Sequence, residues 1–77
     1  MLMKMPAFVR WVASKDGLDY CVYNMKGDKH CIEVKEGPYV YGVFGESHEA
    51  AAAEFVAWYT RGKPRSSQVE KFEEDLS

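Results

Sequence analysis

The chain has 77 residues, 47% hydrophobic, 14% aromatic and 29% charged, with a formal net charge of −2. That length gives a single domain over residues 1–77 with a thin core, because so short a chain buries only about 60% of its unfolded surface. The acid excess argues against general nucleic-acid binding, which needs a basic surface, and no run approaches the ~20 apolar residues of a membrane span.

Residues 1–6 contain three possible starts, Met1, Met3 and Met5, and are expected to be loose. They lack the apolar run of a secretory signal. With only Cys21 and Cys31, the chain reads as a cytoplasmic protein with two free thiols. Ala7 to Ser14, rich in Phe, Val and Trp, predicts a first strand. Leu18 to Asn24 and Asp28 to Lys35 predict two more. The linkers Lys15-Asp16-Gly17 and Met25-Lys26-Gly27 fit three-residue hairpin loops, with Gly at the left-handed position. Ser14 then faces Leu18, and Asn24 faces Asp28. One face carries Phe8, Val12, Leu18, Tyr20, Val22, Ile32 and Val34. The other carries Val9, Trp11, Cys21, Tyr23, Cys31 and Glu33.

After the turn Glu36-Gly37-Pro38, Tyr39 to Phe44 predicts a fourth strand. A three-residue loop turns Val40 and Phe44 toward the core and leaves Tyr39 and Tyr41 on the open face. An even-length loop turns Tyr39, Tyr41 and Val43 inward instead. The period then becomes helical. Ser47 is an N-cap, Glu49 suits the first turn, and Ala51, Ala52, Phe55, Val56, Trp58 and Tyr59 form an apolar stripe. Gly62 and Pro64 end that helix. Ser67 and Glu70 make a capping box for a second helix, with Val69, Phe72 and Leu76 inward and Glu70, Glu73, Glu74 and Asp75 in water. The expected fold is α+β: a four-stranded antiparallel meander with two C-terminal helices on one face, in the order β-β-β-β-α-α.

No catalytic constellation stands out. His30 falls on the core face as a structural residue, and His48 in the first helical turn as a surface residue. Cys21, His30 and Cys31 lack the spacing of a zinc site, and adjacent strand positions point oppositely. No glycine run cradles a phosphate. The chain reads as a non-enzyme, with no cofactor and no metal. Its open sheet face is the main candidate surface: Trp11 beside Cys21, Val9 beside Tyr23, and Asp19 opposite Glu33. Two like charges across a strand pair cost stability, which a basic partner would offset. Arg61, Lys63 and Arg65 either satisfy the helix dipole or grip phosphates.

Two stretches then suggest a family. Cys21-Val22-Tyr23 is followed by a Gly turn and a strand ending in alternating charges. Ser47-His48-Glu49 opens a helix that ends in Trp58-Tyr59, with Gly62 and Pro64 just after. With the expected element order, the chain resembles the small phage-encoded anti-CRISPR proteins, in particular the four-strand, two-helix inhibitor of the type I-F crRNA-guided surveillance complex. The resemblance implies inhibition without turnover: an aromatic and acidic sheet face blocks target DNA by occupying basic subunits of that complex. It implies that Tyr23 is a contact, that Trp11 replaces a contact tyrosine, and that the acidic contact of the third strand falls near Glu33 or at Lys35, where the charge would be reversed. The expected partner-binding set is Trp11, Asp19, Tyr23, Glu33, Lys35, Tyr39 and Tyr41. The alternatives are a single-strand nucleic-acid module stacking bases on the same rings, and a homodimer formed sheet to sheet.

Overall fold

In a computed structural model, which describes residues 2–73, the first segment is a helix. Helix α1 spans Met5–Ala13, with Pro6 in its first turn. Phe8 and Val12 are buried, and Met5 and Trp11 pack partly against the same core. That is helical spacing. A strand would have placed Arg10 on the face of Phe8 and Val12, whereas Arg10 is exposed. Gly17 (φ 87°) turns the chain out of the helix rather than closing a hairpin.

Three antiparallel strands follow: β1 Leu18–Lys26, β2 Lys29–Glu36 and β3 Tyr39–Gly45. Their loops are two residues long, since Lys26 pairs with Lys29 and Glu36 with Tyr39. Gly27 (φ 66°) and Gly37 (φ 60°) each stand first in these loops, where a type II′ turn needs positive φ. The even-length second loop turns Tyr39, Tyr41 and Val43 toward the helices. Helix α2, His48–Thr60, begins at Ser47, whose hydroxyl accepts the Ala50 N–H at 3.0 Å. It buries Ala51, Ala52, Phe55 and Trp58.

The last described element is a strand, β4 Val69–Glu73, paired antiparallel with β3. The observed order is therefore α-β-β-β-α-β, with strand order β1-β2-β3-β4, and it corrects the expected β-β-β-β-α-α. Both differences have a physical cause. The first segment gains more by burying Phe8, Val12 and Trp11 at helical spacing than by extending the sheet. The segment after Pro64 supplies the hydrogen-bonding partner that the second edge of β3 would otherwise lack. The expectations for Met1, Glu74, Asp75 and Leu76 lie outside the described residues.

Both helices pack on one sheet face. The core is built from Phe8, Val12, Leu18, Ile32, Val34, Tyr41, Val43, Ala51, Ala52, Phe55 and Trp58. Phe8 meets Phe55 edge-on at 6.1 Å between ring centroids, and Trp11 meets Phe55 and Tyr59 edge-on at 6.1 and 5.5 Å. No described helix is long and apolar enough to cross a membrane.

Candidate functional site

A bulge at Cys21 decides what the open face carries. Tyr20 pairs with Val34, but Val22 pairs with Glu33, so Cys21 is the extra residue. Before it, Asp19 faces outward opposite Lys35. Beyond it, the even-numbered Val22 and Asn24 face outward instead. Asp19 therefore opposes a lysine, and the like-charge pair with Glu33 does not exist.

Of the expected contact residues, the register puts Asp19, Glu33 and Lys35 together on the open face. It takes Trp11 into the core on α1. Tyr23 turns to the helix side, 4.8 Å from His48 between ring centroids, with its phenol half exposed. Tyr41 is buried and Tyr39 sits at the rim of the helix side, so neither joins the open face.

The rings of that face come from elsewhere. Phe44 and Phe72 flank Gly42, with Val40 in register with Phe72. A Cβ on Gly42 would lie 3.7 Å from the Cys31 sulfur and 3.8 Å from the Phe72 ring. With no side chain at Gly42, Phe72 can lie down over the middle of the sheet. Cys31 and Val40 are buried on the same face, while Phe72 is itself 45% exposed and Val22 50%. Burial, then the Glu33 carboxylate, push the Cys31 thiol above its ordinary value. Asn24 donates to Glu33 at 2.6 Å across the same face. Phe72 escaped sequence reading because its segment scanned as a helix. Its separation from Glu70 and Val69 also fits strand alternation, but five residues are too few to choose between the periods.

A second surface lies at the end of α2. Gly62 donates to Tyr59 O (3.1 Å) and Lys63 to Trp58 O (3.0 Å), a Schellman ending. Lys63 takes the unusual φ of 59°. This aims its ammonium back across the sheet, where it donates to Glu36 at 2.9 Å and lies over the rings of Tyr59 (5.3 Å) and Tyr41 (5.9 Å). The Tyr41 hydroxyl donates to the same Glu36 oxygen at 3.0 Å. Burial alone would push the Glu36 carboxyl up, but the hydrogen bonds from Lys63 and Tyr41 outweigh it and hold it below the usual range. Trp58 Nε1–H closes the loop onto Pro64 O at 2.6 Å. Between this loop and β3–β4 runs a groove of about 610 Å³ lined by Tyr41, Trp58, Lys63, Arg65, Val69 and Lys71.

The histidines meet rather than lie apart. His30 and His48 stand edge to face at 4.8 Å, His48 Nε2 is 3.0 Å from Asn24 O, and His30 Nδ1 is buried with no hydrogen-bond partner among the described residues. Among the described residues, no group of three or more His, Cys, Asp or Glu is placed to hold a metal ion. The chain matches no protein-family model, no curated protein and no solved structure.

Proposed function

We propose that the chain is a binding protein without turnover, which occupies the surface of a larger protein or ribonucleoprotein through the uncovered face of its sheet. One observation carries the reading: Phe72 and Val22 are half exposed on a face that no described helix covers, beside the buried Cys31 and Val40. An apolar centre with a charged surround, here Asp19, Glu33, Lys35 and Glu70, is the layout of a protein interface. The rings act as anchors and the charges orient the encounter. Base stacking is the weaker alternative, because Trp11 and Tyr41 are turned into the core and offer no platform.

The narrower reading, a phage-type inhibitor of a crRNA-guided complex, is supported only by the local likenesses at Cys21-Val22-Tyr23 and from Ser47 to Pro64. The element order no longer supports it. The test uses purified type I-F surveillance complex and labelled target DNA. The narrower reading expects the chain to suppress DNA binding, and Phe72→Ala to weaken this by about 2 kcal/mol, the size of an interface anchor, while the fold is retained. Undisturbed DNA binding removes the CRISPR reading. A stable dimer at micromolar concentration that Phe72→Ala dissociates would assign the face to a second copy.

A further inference from the structure

We propose that the groove between the Lys63–Ser66 loop and β3–β4 is a binding site for a phosphate monoester carried on a small apolar body. It is separate from the open sheet face and rests on different residues. Three features point to it. The groove, at about 610 Å³, has the size of a small-molecule site, with an apolar floor of Trp58, Val69 and Tyr41. Its rim carries three cations, Lys63, Arg65 and Lys71, in a chain whose net charge is −2. The backbone of Lys63 is held in a left-handed conformation that a residue with a side chain seldom adopts, and such outliers persist where the surroundings fix them.

The charges indicate the ligand class. Lys63 is matched within the protein by Glu36, so this end of the groove already binds one carboxylate, gripped jointly by Lys63 and Tyr41. Among the described residues, no acid lies within ion-pair distance of Arg65 or Lys71; Lys71 rests on the ring of Tyr39 at 4.7 Å and reaches Glu36 only through its field. Two cations therefore remain for a doubly charged anion. Arg65 offers the planar fork that suits phosphate oxygens, and Lys71 a point charge beside it. The apolar floor selects an ester over free phosphate.

The probe is phenyl phosphate, followed by amide NMR on the whole chain. Trp58 Nε1–H, donated to Pro64 O in the loop wall, is a built-in reporter. The expected result is saturable movement of the Trp58 indole signal and of amides 63–71. Arg65→Glu and Lys71→Gln each weaken binding by about tenfold or more, the usual effect of losing a hydrogen bond to a charged group. Arg61→Glu, outside the groove lining, leaves it unchanged. Inorganic phosphate binds more weakly than the ester, and benzyl alcohol does not bind. No saturable shift, equal loss with Arg61→Glu, or an unaltered affinity in Arg65→Glu overturns the proposal. Both rim residues are exposed, and the NMR spectrum reports directly that each variant is folded.

Discussion

The Tyr20 hydroxyl is buried on the helix side with no hydrogen-bond partner among the described residues. Its ring is well used, standing edge-on to Phe8 at 5.7 Å. Tyr20→Phe keeps the ring and removes the orphaned group, so chemical denaturation should show a gain of about 1 kcal/mol. Burial, with the neighbouring Tyr23, also pushes the Tyr20 phenol up to about 12. A raised folded value contributes stability that is full below the ordinary 10.0 and is lost as pH rises toward 12. The variant should lose less of its melting temperature than the parent across that window. Glu36 works in the opposite direction. Its lowered folded value gives stability that is present above the ordinary 4.5 and is lost as pH falls through the lower folded value. Melting temperatures of Glu36→Gln and the parent should therefore converge on acidification below that point. A constant gap would show that the contact with Lys63 and Tyr41 contributes nothing through charge.

Elements were legible where one period dominated. The stripe Ala51, Ala52, Phe55, Trp58 and the Ser47 cap define α2 without ambiguity, and β2 holds its expected facing, with Ile32 and Val34 inward. The candidate surface was legible in its charges, Asp19, Glu33 and Lys35, and in Cys31. Its rings were misassigned for separate local reasons: Trp11 lies on a helix, and the two-residue Gly37-Pro38 loop turns Tyr39 and Tyr41 inward. For Tyr23 the cause is the bulge at Cys21, which adds one residue to β1 and exchanges the faces of the rest of that strand. No turn residue marks that bulge. At α1, composition favoured a strand, but Arg10 between Phe8 and Val12 was the contrary sign. The junction of β3 and α2 is a further element-level constraint. A Cβ at Gly45 would come within 2.7 Å of the Ala51 backbone nitrogen. The obstacle is main chain, so it cannot rotate away. Gly45→Ala should cost about 2–3 kcal/mol, a fall of roughly 10 °C or more in a thermal melt. A fall of a degree or two would mean that the helix stands farther from the strand.

For the molecule as a whole, stability must come from a small core, and α1 supplies a large share of it. Phe8 is fully buried and touches Trp11, Tyr20 and Phe55. Phe8→Ala should cost about 3–5 kcal/mol, much of what a domain this size possesses. Val9→Ala, on the exposed side of the same helix, should change stability by less than about 0.5 kcal/mol. A first-segment strand would bury the same Phe8, so the discriminating variant is Trp11→Ala. Against the helix it destabilises the fold, whereas on an open sheet face it would leave the fold untouched. Equilibrium unfolding in urea separates these outcomes.

The buried sulfur of Cys31 gives the chain its own clock. With Cys31 only 1% exposed, an alkylating reagent must wait for the groups around it to move aside, so the labelling rate, measured in a Cys21→Ser background, times that opening. Whatever settles on the sheet should slow the clock, which makes one thiol a gauge of occupancy for ligands still to be found.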